Sequence, residues 1–283
     1  MKKSSAILTG MMDNAYLEVI PTRTIMERLV HLPRHSYLSI TCSPVHGIGP
    51  TLDMVDELRA LPEERQLKLV PHIAARVVRD KSHLREILKR LDGTGVESVF
   101  VPGGDAVQPA GDYDCSLHLL RDMADLGHAF KDVGVAAHPE GHPIVDDAEL
   151  LRLLKEKQQY ANYLVTQMCF DPGVLIKWLE GIRRAGVSLP AWLGLPGVAE
   201  IPRLISLSLK IGVGQSVRVL KRQKGLIRKM ISAKPYQPDE LVAGLLPHLG
   251  DPVLDIPGFH LFSFNNVERT ERWRVEAMNK LKW

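Results

Sequence analysis

The sequence has little cysteine and no long hydrophobic run. Three cysteines occur among 283 residues, an odd and widely spaced set: Cys42, Cys115 and Cys169. Such a set argues against a disulfide framework and offers no zinc-binding spacing, so we expect reduced thiols. No apolar run reaches the roughly 18 residues of a membrane span, and the opening segment MKKSSAILTGMMD is too weakly apolar for a signal peptide. These absences predict a soluble cytoplasmic protein that does not bind membranes.

The chain also carries little net charge. Its 36 lysine and arginine residues are nearly balanced by 33 aspartate and glutamate residues, which leaves a net charge of +3. A value this small does not by itself indicate a nucleic-acid partner. With 45% hydrophobic and 24% charged residues, the composition is that of a globular protein. The length suits one large α/β barrel or two ordinary domains.

Short apolar runs typical of β-strands alternate with segments of helical periodicity. Eight such runs occur, at residues 15–20, 36–41, 68–74, 97–102, 134–139, 162–168, 190–196 and 258–264. Eight strands, each followed by a helix, predict a (β/α)8 TIM barrel, in which strand order follows the chain. An open doubly wound sheet is the alternative, although it usually has fewer strands for this length. We therefore predict a single α/β barrel domain over residues 1–283.

One segment, at about 197–250, is too long to be a single helix between strands seven and eight. From Pro202 to Pro238 it contains nine basic residues and no acidic one. Aliphatic residues interleave with the basic ones, so we predict a helical insertion. Its basic face is either simply solvated or attracts anionic ligands. A nucleic-acid role is disfavoured, because Tyr236 is the one aromatic residue there that could stack on bases.

Polar residues gather at the predicted carboxyl ends of the strands, where barrel enzymes carry their active sites. Glu18 lies in an apolar strand end, where desolvation favours the neutral acid and makes it a candidate proton donor. The alternative is a structural partner for Arg23 or His72. Asp105 follows two glycines that would let a ligand approach the backbone closely. Gln167 ends LVTQ with an amide that can both donate and accept hydrogen bonds.

The stretch AAHPEGHP places His138, Glu140 and His142 on alternate positions between two prolines. Two histidines and a carboxylate could form a metal site, an acid/base cluster, or a polar loop that closes a strand. The stretch lacks the helical spacing of zinc motifs, and the prolines indicate a stiff turn. We interpret it as a loop that shapes a pocket, and we predict no metal.

These segments resemble those of the methylenetetrahydrofolate reductase family. The resemblance is carried by EVIPTRT, SIT, VPHIAAR, GGDAVQP, VAAHPEGHP, LKEKQQYANYLVTQMCFDP, LGLPG and FHLFSFN. It implies reduction of the methylene bridge of 5,10-methylenetetrahydrofolate to a methyl group with NADH or NADPH. In its terms, Glu18 protonates N10 and opens the ring to an iminium, Asp105 stabilises that cation, and Gln167 holds the pterin edge.

Three positions depart from the family pattern where it contacts flavin. Gly103 replaces an arginine of an RGD-like triplet, His138 replaces a tyrosine, and Cys42 replaces an aromatic residue. An arginine–phosphate contact is not readily replaced by glycine. The resemblance therefore predicts FAD binding that is weak or absent, and hydride transfer straight from the nicotinamide.

Other residues at matching positions remain candidates for cofactor binding, whether the cofactor is a flavin or a nicotinamide. They are Thr41, His72, Gly104, His138 and Lys157. Two further functions stay open: a non-redox pterin-dependent methyltransferase or lyase, and a non-catalytic accessory subunit. The basic insertion could attract the glutamate tail of folate or the pyrophosphate of the cofactor.

Overall fold

The computed structural model describes residues 2–210 and 235–280. Eight strands are present: β1 Tyr16–Val19, β2 Tyr37–Ile40, β3 Lys68–Pro71, β4 Ser98–Val101, β5 Asp132–Ala137, β6 Tyr163–Thr166, β7 Ala191–Pro196 and β8 Gly258–Phe262. All pair in parallel, in the order β3-β2-β1-β8-β7-β6-β5-β4. A parallel bridge between His72 and Phe100 joins β3 to β4 and closes the ring. The predicted (β/α)8 barrel is confirmed.

Helices surround the strands. They are α1 Lys2–Asp13, α2 Ile25–Arg28, α3 Gly49–Arg59, α4 Lys81–Asp92, α5 Ser116–Leu126, α6 Asp147–Lys157, α7 Pro172–Arg184, α8 Ile201–Lys210, α9 Asp239–Leu245 and α10 Val267–Lys280. Within the described ranges four short 3-10 turns accompany them, at Leu29–His31, Glu63–Arg65, Ala75–Val77 and Leu246–His248. No helix among these described residues is long and apolar enough to cross a bilayer.

Aspartates begin three of the helices directly after the loops at the carboxyl ends of the strands. The side chain of Asp171 accepts hydrogen bonds from the first amides of α7, and Pro172 takes a first-turn position that needs no donor. Asp80 caps α4 and Asp146 caps α6 in the same way. These caps fix the ends of the loops that form the mouth of the barrel.

The strands divide their side chains between two cores, because successive residues point to opposite faces. Leu17 and Val19 of β1 join the large apolar core between strands and helices. Tyr16, from the other face, stacks inside the barrel on Tyr163 at 6.2 Å and meets Trp192 edge-on at 4.5 Å. We call Tyr16, Tyr163 and Trp192 the aromatic layer. It fills the amino-terminal half of the barrel interior.

Glycines make the room that the aromatic layer needs. A Cβ at Gly134 would lie 2.2 Å from the ring of Tyr163, and one at Gly258 would lie 2.2 Å from the ring of Trp192. Either contact is far inside van der Waals distance, so a side chain at these positions would displace the rings. The aromatic layer therefore depends on small residues in the neighbouring strands.

Helix α1 was not predicted from the sequence. Its Leu8 and Met12 are fully buried, and Arg274 of α10 donates a 2.6 Å hydrogen bond to the carbonyl of Met12. Arg274 is itself paired with Glu271 at 2.7 Å, so the buried cation has both a counter-charge and a carbonyl partner. The opening segment is thus part of the packed barrel.

The predicted insertion is described only at its two ends, as α8 and α9. Residues 211–234 lie outside the described residues, and with them seven of the nine basic side chains: Arg218, Lys221, Arg222, Lys224, Arg228, Lys229 and Lys234. The helical insertion, and the single domain of which it forms part, therefore stay predictions.

Candidate active site

Glu18 lies inside the barrel on β1, toward the carboxyl ends of the strands. Its side chain is 17% exposed, and its Oε2 lies 3.0 Å from Nε2 of His260 and 3.9 Å from Nε2 of His72. Among the described residues, no hydrogen bond reaches its other oxygen, Oε1. The expected contact with His72 is present at the longer distance, whereas Arg23 is not a partner. Glu18 is thus anchored through one oxygen and has the other available.

Two histidines and a serine surround the Glu18 carboxyl, and with it they form what we call the polar layer: Glu18, Ser39, His72 and His260. Ser39 Oγ lies 2.6 Å from Nε2 of His72. Complete burial, together with the nearby His260, holds the pKa of His72 well below its usual range. His72 is therefore neutral near pH 7. It is buried within this network, so little of its surface remains for a cofactor.

His260 and Ser39 are residues of this site that we did not predict from the sequence, and His260 is the one that contacts Glu18 directly. It is 2% exposed and stands on β8 with the same parity as Phe262, whose ring lies 5.0 Å from its own. The segment GFHLFSF did contain an indication of this position. Alternation along the strand puts His260 and Phe262 on the same face. Glu18 on β1 also points into the barrel, so a histidine on the inward face of β8 could have been expected near it.

Asp105 stands exposed on the loop after β4. The preceding Gly104 has a φ of +94°, and a Cβ there would lie 3.0 Å from that of Ala74, so the tight turn requires glycine. Arg76 holds the same loop, donating from Nε to the carbonyl of Ala106 at 2.6 Å and from Nη2 to that of Val107 at 2.7 Å. Asp105 is therefore presented at the mouth by a braced loop.

Gln167 follows β6 directly, and its amide is half engaged by the main chain. Its side-chain Oε1 accepts a 2.7 Å hydrogen bond from the amide of Met168. Across the described chain no acceptor meets its Nε2. We expected an amide able to donate and accept at once, but the geometry leaves it chiefly as a donor toward a ligand.

The AAHPEGHP loop brings two imidazoles together. The rings of His138 and His142 meet edge-on at 5.0 Å. Burial, helped by His142 and Lys157, lowers the pKa of His138 to about 4. Burial also lowers the pKa of Lys157 and that of His142, and for His142 the nearby Asp105 opposes the shift. The loop therefore contributes neutral imidazoles to the mouth, with the amine of Lys157, at the end of α6, close enough to influence them.

A compact group of possible metal ligands lies elsewhere in the described chain. Donor atoms of Asp114, Cys115 and His118 lie within 4.8 Å of one another at the start of α5. Asp114 and His118 are exposed and already paired at 2.9 Å. The group differs from His138, Glu140 and His142, the set for which we considered a metal.

The positions that depart from the family pattern have distinct surroundings. A Cβ at Gly103 would meet nothing within 4 Å. The backbone amide of Arg76 donates a 2.9 Å hydrogen bond to the Gly103 carbonyl. The guanidinium of Arg76 already donates hydrogen bonds to loop carbonyls. Burial raises the pKa of Cys42 to about 11, so its thiol stays protonated. The neighbouring Thr41 is half-buried at the end of β2.

Comparison with known proteins identifies the family. A family model for methylenetetrahydrofolate reductase matches residues 20–271. Methylenetetrahydrofolate reductase 1 of Schizosaccharomyces pombe is 32% identical over 117 residues, 38% of this chain and 19% of that protein. Methylenetetrahydrofolate reductase (NADH) 1 of Arabidopsis thaliana is 25% identical over 178 residues, 56% of this chain and 26% of that protein.

The chain thus spans about a fifth to a quarter of the length of these relatives. A solved structure, orotidine 5'-monophosphate decarboxylase from Sulfolobus solfataricus, superposes with a TM-score of 0.36 at 12% identity, covering 65% of this chain and 77% of that one. A likeness at that level adds nothing to the assignment. The family match, which extends over most of the chain, confirms the resemblance seen in the motifs: this chain belongs to the methylenetetrahydrofolate reductase family.

Proposed function

We propose that the protein reduces 5,10-methylenetetrahydrofolate to 5-methyltetrahydrofolate with a hydride from NADH or NADPH. The observation that carries this proposal is Glu18, a largely buried carboxyl group with one free oxygen at the base of the barrel mouth. Asp105 and Gln167 stand on loops of the same face. Relatives named as NADH enzymes in Arabidopsis thaliana and Zea mays favour NADH as the donor.

In this proposal Glu18 supplies the proton that opens the substrate ring. Its O–H bond breaks and an N–H bond forms at N10; the bond from N10 to the methylene carbon then breaks, and its electron pair stays on N10. The lone pair of N5 forms the iminium, to whose carbon the nicotinamide hydride adds. The Asp105 carboxylate stabilises that cation, and Nε2 of Gln167 donates to an acceptor on the pterin edge.

The residues at the flavin positions do not fit FAD. Gly103 offers no cation to its phosphates, and the adjacent Arg76 is committed to loop carbonyls. His138 is neutral and replaces an aromatic contact. Losing a charged hydrogen bond (~1.5–3 kcal/mol) and a ring contact (~0.5–1.5 kcal/mol) would weaken binding roughly 30- to 1,600-fold, at ~1.4 kcal/mol per decade. We therefore propose direct transfer between nicotinamide and folate.

Isotope tracing tests both parts of this proposal. The purified protein is given methylenetetrahydrofolate and NADH carrying deuterium at the transferred position, with and without added FAD, and the product is analysed by mass spectrometry. Direct transfer keeps the deuterium in the new methyl group without added flavin. A reduced flavin would exchange the label with water, so an unlabelled methyl group would refute direct transfer alone. No methyl product under any condition would refute the reductase function itself.

A further inference from the structure

His260 meets Glu18 through a single short contact. Nε2 of His260 and Oε2 of Glu18 are 3.0 Å apart, and the imidazole is 2% exposed. The two residues stand on adjacent strands, β8 and β1, which are paired in register through Tyr16 and His260. The contact is therefore fixed by the barrel itself and does not depend on a loop.

The groups that face this pair are uncharged within the part of the chain that the structure describes. On β3, His72 lies 3.9 Å from the same oxygen, and burial keeps it neutral. On β2, the Oγ of Ser39 is hydrogen-bonded to Nε2 of His72. On β1, the ring of Tyr16 lies 6.1 Å from that of His260, and burial raises the pKa of its hydroxyl above the usual range. Phe100 on β4 contributes an apolar ring at 6.3 Å.

The described neighbours of His260 on β7 and on β8 itself carry no charge either. Gly194 of β7 is in register with His260, and Phe262 of β8 packs on its ring. In such surroundings an ion pair between Glu18 and His260 would lose the hydration of both charges.

We propose that His260 is the positioning residue for Glu18: its Nε2–H donates to Oε2, which places the acidic proton on Oε1. Because no hydrogen bond from the described residues reaches Oε1, the proton there is available to a ligand. When Glu18 gives up this proton, the hydrogen bond from His260 becomes charge-assisted and stronger. His260 thus fixes the acid and promotes release of its proton. The inference deepens the proposed function and rests on it for the identity of the proton acceptor.

Substitution of His260 tests this role through the pH profile. In His260→Phe the carboxylate loses its donor, so kcat falls about 10- to 100-fold, the worth of a charge-assisted hydrogen bond. The carboxylate left after proton transfer then lacks the donor that stabilised it. The pH at which kcat/KM falls by half on the alkaline side therefore moves up by about one to two units. In His260→Gln the amide N–H replaces the donor and restores most of both quantities.

The controls separate positioning from folding. His128→Gln, on an exposed histidine before β5, keeps the parental kcat and pH profile, and thermal unfolding verifies that all variants fold. An unchanged pH profile in His260→Phe, with or without a fall in kcat, would reduce His260 to a packing residue. A downward move of the alkaline midpoint would mean that His260 shares the proton instead of donating to Glu18.

A second measurement does not depend on the reaction. Nitrogen-15 NMR of the imidazoles reports the tautomer of His260 directly. We expect a neutral ring with its proton on Nε2 at neutral pH, both in the parent and in Glu18→Gln, whose amide oxygen still accepts. A cationic His260 at neutral pH in the parent would overturn the inference. Because the spectrum needs no substrate, this result stands even if the protein proves not to be a reductase.

Discussion

The reaction proposed for this protein depends on one proton, and Glu18→Gln removes it with little other change. Glutamine has the shape of glutamate, and its amide oxygen can accept the 3.0 Å hydrogen bond that His260 now gives to Oε2. The side chain therefore stays in place in a site only 17% exposed. What is lost is general acid catalysis, which is worth about 10²–10⁴-fold. We expect kcat to fall by that factor.

Two assays distinguish loss of the proton from loss of the site. NADH oxidation with methylenetetrahydrofolate gives kcat, and equilibrium titration gives the folate dissociation constant, which should change little. Glu27→Gln, on the exposed surface of α2, is the matched control and should behave as the parent. If Glu18→Gln reduces the substrate at the parental rate, Glu18 is not the acid. A large loss of folate affinity would instead make it a binding residue.

Two further predictions address the cofactor and the AAHPEGHP loop. Gly103→Arg should raise FAD affinity about 10- to 100-fold, since the position is open and a charged hydrogen bond is worth that much. Flavin fluorescence titration measures this affinity. An unchanged affinity would show that Gly103 is not the reason for weak flavin binding. Burial lowers the pKa of His138 to about 4 in the folded protein, so between about pH 6.5 and pH 4 the unfolded chain binds more protons than the folded one. The free energy of unfolding therefore falls as the pH drops from about 6.5 to about 4. His138→Gln should lessen that fall in urea unfolding, and equal pH dependence in the two proteins would show that His138 is not buried as described.

The barrel was predictable because its strands are short apolar runs with clear turns between them. All eight were expected at the right places, and β5 ends at Ala137, just before His138. Helix α1 was not predicted, since the apolar spacing of the opening segment alone does not indicate what the segment packs against. The apolar residues of α1 are buried in the folded barrel, where α1 contacts α10 from the other end of the chain. Contacts of that kind are not visible in local periodicity.

The candidate site was predictable in its residues but not in its connections. Glu18 and Gln167 are recognisable in the sequence because they are polar residues at the ends of apolar strands. The sequence around Gln167 does not show, however, that its side-chain Oε1 accepts a hydrogen bond from the amide of Met168. His260 was not predicted for a different reason. It lies in the middle of an apolar strand, where a single histidine is usually a structural residue of the core. Its partner Glu18 lies 242 positions away in the sequence. Only closure of the barrel brings the two together.

That closure also explains why an acid can be kept inside this fold. The aromatic layer, made possible by Gly134 and Gly258, fills the amino-terminal half of the interior and leaves the polar layer at the carboxyl ends of the strands. One side of the acid is then the imidazole of His260, held by the adjacent strand, and the described residues around the pair carry no charge. A carboxyl group set in a mobile loop would be hydrated and ionised. On β1 the carboxyl of Glu18 is 17% exposed, held by His260 on one side and open to the mouth of the barrel on the other.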